Sequence, residues 1–136
     1  MDNTYIESMR SHIAQLESDL NGLSEILATR TFSKYEYRAA ERTLQIIIEA
    51  CIGLSKHWCK KLDGVAPASA YHSFIQLSDH GITQVNDTPW KQIIGMRNAL
   101  VHDYLNIDRE VIENLVKTKR YESLVSFSDL ALAALE

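Results

Sequence analysis

Residues 37–58, YRAAERTLQIIIEACIGLSKHW, form the segment from which the fold class can be inferred. Its main apolar stripe consists of Tyr37, Ala40, Leu44, Ile47, Cys51, Leu54 and Trp58. These residues recur at intervals of three and four, the spacing of one face of an α-helix. Ile46, Ile48 and Ile52 lie off that stripe and widen the apolar surface. A surface so wide needs contacts on more than one side, so we predict a central helix.

The segment before this helix has the same spacing. Thr4 and Glu7 stand three residues apart at its start, as in a capping box, and Ser33 and Glu36 repeat that pattern before the central helix. Residues 29–33 are predicted to form the turn between the two helices. The apolar seam of the first helix is Ile6, Met9, Ile13, Leu16, Leu20, Leu23 and Leu27.

Glycine and proline divide the next part of the chain. Gly64 and Pro67 are predicted to end the central helix. A short helix is expected from Ala70 to His80, with Gly81 as its stop. A further helix is expected to begin at Thr88 and Pro89, because threonine caps free amides and proline fits the first helical position.

The last part of the chain is also predicted to be helical. Residues 106–108 indicate a break, after which Asp108 caps another helix, and residues 117–120 indicate an interruption. No alternating strand pattern, repeat or flexible linker occurs in the sequence. We therefore predict an all-α fold, an antiparallel bundle of about five to six helices in a single domain over residues 1–136.

Charge and cysteine content limit the possible functions. Fourteen Lys and Arg against eighteen Asp and Glu give a net charge of −4, so any contact with nucleic acid must be local. Cys51 and Cys59 are eight residues apart on one predicted helix, about 12 Å, too far for a disulfide. Free thiols and the lack of a long apolar run indicate a cytoplasmic protein without a membrane segment.

The segment RNALVHDY, residues 97–104, places polar groups on an apolar stripe. On an ideal helix Arg97 and Tyr104 lie within about 20° of each other and about 10 Å apart along the axis. His102 is about 140° from Arg97 but one turn from Asn98, its natural hydrogen-bond partner. From spacing alone these side chains could equally be a snorkelling arginine, a hydrogen-bonded histidine and a surface tyrosine.

Arg97, then His102 after four residues, then Tyr104 resembles the Arg-x4-His-x-Tyr motif of the HepT-like branch of the HEPN superfamily. The flanking blocks WKQIIGM (residues 90–96), NID (106–108) and RAAERTL (38–44) are similar to that branch as well. The resemblance runs from about residue 35 to 108. It implies a HEPN-type helical bundle.

The resemblance also implies an activity. HepT-like proteins are metal-independent endoribonuclease toxins that need no cofactor and act as homodimers, with the active site in the cleft between two protomers. It assigns Arg97 and His102 as catalytic, and Asn98 would support them. The residue types suit RNA, whose 2′-hydroxyl is the nucleophile, because histidine can move protons near neutral pH and arginine can hold phosphate oxygens.

Tyr104 has two possible functional roles, as an RNA contact or as a site of modification. The resemblance favours modification, since the partner of such toxins is an MntA-type minimal nucleotidyltransferase antitoxin that AMPylates this tyrosine. An anionic nucleotide there would repel phosphate. The alternative function is a non-catalytic HEPN module that binds a nucleotide or the partner enzyme without cutting RNA.

Other candidate sites carry less weight. His57 and Cys59 lack further ligands at metal-binding spacing, and Asp103 diverges from its neighbour His102, so we assign it no role. No glycine-rich phosphate loop, Gly-x-Ser-x-Gly elbow or His-Glu-x-x-His zinc motif occurs. Two basic clusters at helix ends could steer RNA or contact the antitoxin: Lys56, Lys60 and Lys61, and Lys117, Lys119 and Arg120.

Overall fold

The computed structural model describes residues 1–102 and 104–136, apart from the side chain of Tyr104. Over those residues it contains six α-helices, two short 3-10 turns and no strand. The all-α prediction of five to six helices is therefore confirmed. The helices are α1 (Asn3–Leu27), α2 (Lys34–Asp63), α3 (Ala70–Asp79), α4 (Trp90–His102), α5 (Arg109–Lys117) and α6 (Glu122–Leu135), and the 3-10 turns are Thr83–Asp87 and Tyr104–Asn106.

Helix α2 lies at the centre of the bundle, as its wide apolar surface predicted. It contacts α1, α3, α4, α5 and α6. Its fully buried apolar side chains are Ala40, Leu44, Ile47, Ile48, Cys51, Leu54 and Cys59. Apolar side chains from the other helices join them in one core cluster. None of the helices in the described part of the chain is both long and apolar enough to cross a lipid bilayer.

The predicted helix starts agree with the structure except at α1. Ser33 and Glu36 form the expected capping box, in which each side chain accepts a hydrogen bond from the other residue's backbone amide. At α1 the expected box of Thr4 and Glu7 is wrong. The carboxylate of Asp2 caps the helix instead, accepting the Thr4 amide at 2.9 Å, because it lies two residues earlier and reaches the first free amides.

The predicted helix ends and breaks in the second half of the chain are confirmed. Helix α3 ends at Asp79 and is followed by Gly81, whose φ of 87° suits glycine. Asp108 caps α5 by accepting the Glu110 amide at 2.9 Å. Helices α5 and α6 are separated by residues 118–121, which matches the interruption predicted near there.

An aromatic cluster holds the start of α4 against the rest of the bundle. The Trp90 ring stacks on Phe74 of α3 at 3.7 Å between centroids and meets Phe127 of α6 edge-on at 5.0 Å. Its indole N–H donates to the Val85 carbonyl at 2.8 Å, so the polar atom of this buried ring is paired. Because α4 carries residues 97–102, this cluster sets where that segment lies.

Replacing Trp90 with alanine is expected to lower the free energy of unfolding by about 3–5 kcal/mol, because it removes two ring contacts and leaves a cavity. Urea denaturation followed by circular dichroism measures the change. Tyr71→Ala on the exposed face of α3 is the matched control and is expected to cost far less. Equal losses in the two variants would mean that the cluster does not anchor α4.

Candidate active site

Helix α4 presents Arg97, Asn98 and His102 in different environments. Arg97 is half-buried, whereas Asn98 and His102 are exposed. The helix ends at His102, earlier than the break predicted at residues 106–108, so the imidazole stands at its C-terminal end beside the last free carbonyl groups. The structure therefore brings one partly buried cation and one accessible imidazole to the same end of α4.

Arg97 carries an unusual polar atom. Its Nε is buried, and within the described residues it has no hydrogen-bond partner. No carboxylate in that part of the chain lies within ion-pair distance of its guanidinium. A buried donor without a partner costs about 1–3 kcal/mol, and planar guanidinium donors match the oxygens of phosphate. The Nε of Arg97 therefore has no acceptor within the described part of the chain.

The apolar stripe predicted through α4 is correct only in part. Trp90 and Ile94 are buried, but Val101 is 41% exposed and its neighbour Leu100 is buried instead. Residues 90–102 are all helical, so Val101 is exposed because the described neighbours of α4 do not cover that side of its last turn; after α4 the backbone forms the 3-10 turn at Tyr104–Asn106. The predicted position of the Tyr104 side chain, and Asp103 altogether, lie outside the described residues.

Asn98 was predicted to hydrogen-bond His102. The two residues are one helical turn apart and both are exposed, but no hydrogen bond joins them. A supporting role for Asn98 therefore remains a prediction. Both side chains face solvent and are free to meet a substrate or a second protein chain.

Arg109 fixes the segment that follows residues 97–104. It donates to the Glu113 carboxylate at 3.0 Å and to the Phe32 carbonyl, and its guanidinium lies over the Tyr37 ring at 5.0 Å. These contacts attach the start of α5 to the α1–α2 turn and to the first turn of α2. The downstream end of the segment is thus anchored by residues about seventy positions earlier in the chain.

Glu41 is a titratable residue that the sequence analysis named only within the block at residues 38–44. Burial raises the pKa of its carboxyl, and the nearby charge of Arg38 and a hydrogen bond from Tyr37 oppose that rise. Its half-burial follows from the packing of α2, which the order of residues alone did not reveal. The signal available in the sequence was its place in a block similar to known relatives.

The two cysteines are buried structural residues. Cys51 donates to the Leu124 carbonyl at 3.4 Å and lies 3.3 Å from the Ser128 hydroxyl, and burial raises the pKa of its thiol to about 12. Cys59 donates to the Ser73 carbonyl at 3.2 Å. Both thiols are free. The described residues hold no group of three or more His, Cys, Asp or Glu side chains that could bind a metal ion.

A groove of about 860 Å³ lies beside residues 97–102. Met96 and Ile93 of α4 line one wall, and Val111 of α5 lines the other. Neither Arg97 nor His102 lines this groove. The two predicted catalytic residues therefore do not lie in a deep pocket of the single chain, although a ligand site is usually concave.

Exposed apolar side chains surround the end of α4. Val101 is 41% exposed, Leu105 in the following 3-10 turn is 83% exposed, and Val111 on α5 is 53% exposed. These three large apolar side chains lie within eleven residues, and exposed apolar side chains of this kind are candidates for contact with a protein partner. We call Val101, Leu105 and Val111 the apolar patch.

Three likenesses to known proteins bear on this site. A family model described as Ribonuclease HepT-like matches residues 5–130. The mRNA nuclease HepT of Shewanella oneidensis strain MR-1 is 31% identical over 91 residues, which cover 66% of this chain and 68% of that protein. A solved structure described as "Crystal structure of the toxin-antitoxin with AMP-PNP" superposes with a TM-score of 0.79 at 19% identity, covering 96% of this chain and 99% of that one. This last likeness shows a shared fold.

Proposed function

The chain belongs to the HepT-like ribonuclease family, and on that premise we propose that it is a metal-independent endoribonuclease acting as the toxin of a toxin–antitoxin pair. The resemblance recognised in residues 35–108 is confirmed by the family match. The observation that carries the activity is the buried Nε of Arg97, which has no hydrogen-bond partner among the described residues, on the same helix end as the exposed His102. The pair offers a phosphate-binding cation and a proton-transfer group.

The proposed chemistry uses the 2′-hydroxyl of RNA as the nucleophile. His102 removes its proton as the 2′-oxygen bonds to phosphorus, and a histidine then protonates the 5′-oxygen that leaves. Arg97 donates to the phosphate oxygens and stabilises the extra negative charge of the pentavalent transition state. The products are a 2′,3′-cyclic phosphate and a 5′-hydroxyl. Asn98 would orient the histidine or hold a phosphate oxygen.

We propose that the active unit is a homodimer with the site in the cleft between two copies. Residues about 140° apart on one helix do not both point at the same phosphate, and a two-fold pair removes that difficulty. The absence of Arg97 and His102 from the groove lining and the exposure of the apolar patch support this arrangement. Two copies would also concentrate positive charge in a chain of net charge −4.

We further propose that an MntA-type nucleotidyltransferase antitoxin silences the enzyme by transferring AMP to Tyr104. This part rests on the Arg-x4-His-x-Tyr resemblance, because the Tyr104 side chain lies outside the described part of the structure. A nucleotide there would bring negative charge close to the phosphate site and oppose RNA binding. The free thiols of Cys51 and Cys59 and the RNA substrate fit a cytoplasmic protein.

Purified protein is expected to cleave end-labelled RNA in excess EDTA and to leave 2′,3′-cyclic or 3′-phosphate ends. His102→Ala and Arg97→Ala are each expected to slow cleavage by about a hundredfold or more. His12→Ala, which removes an exposed histidine on α1, is the matched control and should cleave at the parental rate. Uncut RNA from protein that lacks modification at Tyr104 would instead favour the non-catalytic binding module.

Leu105→Ser is expected to convert the homodimer into monomers and to reduce RNA cleavage, because it makes the most exposed residue of the apolar patch polar. Size-exclusion chromatography with light scattering measures the mass. The matched control is Val65→Ser, which changes a residue that is 68% exposed in the α2–α3 loop and should leave the dimer intact. A monomeric parent at working concentration would overturn the dimer.

Co-expression with an MntA-type nucleotidyltransferase is expected to add one or more AMP groups to the chain and to abolish its RNase activity. Intact-protein and peptide mass spectrometry locate the adduct. Tyr104→Phe should remain unmodified, while Tyr71→Phe, which alters another tyrosine, should be modified like the parent. AMP found elsewhere on the chain would exclude Tyr104 as the acceptor.

A further inference from the structure

Five of the fourteen lysine and arginine side chains have a carboxylate or carbonyl acceptor among the described residues. These are Arg10, Arg30, Lys56, Lys61 and Arg109. At the end of α5 and in the turn that follows it, Lys117, Lys119 and Arg120 are all exposed, and within the described residues none of their side chains makes a hydrogen bond or an ion pair. An acidic chain that binds RNA needs local cations of this kind.

The backbone of that turn is strained at Lys119. The Arg120 amide donates to the Leu115 carbonyl at 3.0 Å and the Lys119 amide donates to the Val116 carbonyl at 3.1 Å, the paired bonds of a Schellman motif. The motif places Lys119 at a φ of 56°, in the left-handed region where glycine is the usual residue. A lysine there costs about 1 kcal/mol relative to glycine.

Helix α3 ends in the same motif with glycine in the strained position. The Ile82 amide donates to Leu77 at 3.2 Å and the Gly81 amide donates to Ser78 at 2.9 Å, with a φ of 87° at Gly81. One chain thus uses the low-cost residue at one helix end and a strained cation at the other. Strain of this kind is characteristic of functional positions.

Lys119 and Arg120 stand at one end of the groove beside α4. Its apolar walls come from Ile93 and Met96 of α4 and from Val111 and Leu115 of α5. Asp108 and Glu110 line it at the opposite end of α5, a helix of nine residues that is about 13 Å long. Asp87 also lines the groove.

We propose that this groove is a subsite for one nucleotide of the substrate RNA that flanks the scissile phosphate. Its phosphate binds Lys119 and Arg120, its base lies on Ile93 and Met96, and N–H groups on the edge of the base donate to Glu110. Charge complementarity selects this ligand, because a nucleotide is anionic at one end and offers N–H donors at the other. A volume of about 860 Å³ lies in the range of small-ligand sites.

The groove wall on α4 ends at Met96, one residue before Arg97. Consecutive Cα atoms are about 3.8 Å apart. A strand whose scissile phosphate meets Arg97 can therefore place a neighbouring nucleotide in the groove. The inference rests on the proposed RNase function for the identity of its ligand, and its test uses binding so that the two can be separated.

The variant that tests the subsite is Lys119→Gly, made in the His102→Ala background so that RNA stays uncut. It is expected to raise the melting temperature, because glycine relieves the strained φ, and yet to weaken binding of fluorescein-labelled single-stranded RNA by about fivefold or more. Anisotropy titrations at several KCl concentrations should show the salt slope reduced by about 0.7 for the lost phosphate contact. A gain in stability combined with a loss of binding cannot come from misfolding.

Two further variants complete the design. Lys117→Ala also removes one positive charge, but from the last residue of α5, which does not line the groove. This variant should weaken binding by less than about twofold. Arg120→Gln leaves the strained backbone unchanged and should weaken binding as Lys119→Gly does. Equal binding by Lys119→Gly, Arg120→Gln and Lys117→Ala would overturn the subsite and leave the groove to a protein partner.

The cleavage assay separates this inference from the proposed function. In the active protein, Lys119→Gly should raise KM and leave kcat nearly unchanged, because Lys119 binds substrate away from the reacting atoms. RNA that binds through Lys119 but is never cut would contradict the RNase function and retain the subsite. RNA that is cut with the parental KM by Lys119→Gly would contradict the subsite and retain the RNase function.

Discussion

Burial of apolar side chains on more than one side of α2 is the physical constraint that arranges the other helices. A thirty-residue helix with Leu44, Ile47 and Ile48 fully buried must be surrounded, and all five other helices contact it. That requirement places α4 against α2, where the Trp90 cluster fixes its first turn. The candidate site is therefore positioned by hydrophobic packing at the start of α4 and remains polar and accessible at its end.

The end of α4 combines features that a structural helix would not need. Arg97 keeps a buried donor unpaired within the described residues, while His102 faces solvent and the apolar patch lies beside them. Each feature carries a free-energy cost in an isolated chain, through desolvation in one case and exposed apolar surface in the other. Phosphate for Arg97 and a second copy for the patch would remove both costs at once. These are the two partners that the proposed function requires.

The two Schellman motifs differ in the residue that occupies the left-handed position. Gly81 closes α3 without strain, whereas Lys119 closes α5 in the left-handed region and holds its charge at the end of the groove. The left-handed backbone of Lys119 costs about 1 kcal/mol, which is small beside the free energy of folding. Stability alone therefore permits a lysine at this position but gives no reason for one. A role in binding gives a physical reason for a lysine rather than a glycine.

Local chemistry in the sequence determined the helices, most of their ends and the family. The spacing of residues 37–58, the Ser33 capping box, the stop at Gly81 and the cap at Asp108 each depend on neighbours within about two turns, so order along the chain was enough. The motif formed by Arg97, His102 and Tyr104 was likewise recognised without a structure. The start of α1 was misjudged only because two caps were available within a few residues.

Only the tertiary structure decided what surrounds those residues. Contacts between helices far apart in the chain decide three features of the site. These are the exposure of Val101, the lack of a partner for the Arg97 Nε among the described residues, and the groove between α4 and α5. The left-handed backbone at Lys119 also escaped prediction, since lysine gives no sign of it where glycine would have. The order of residues thus specifies which chemical groups the protein carries. Which of those groups are buried, exposed or adjacent depends on packing, because burial results from contacts between residues far apart in the sequence.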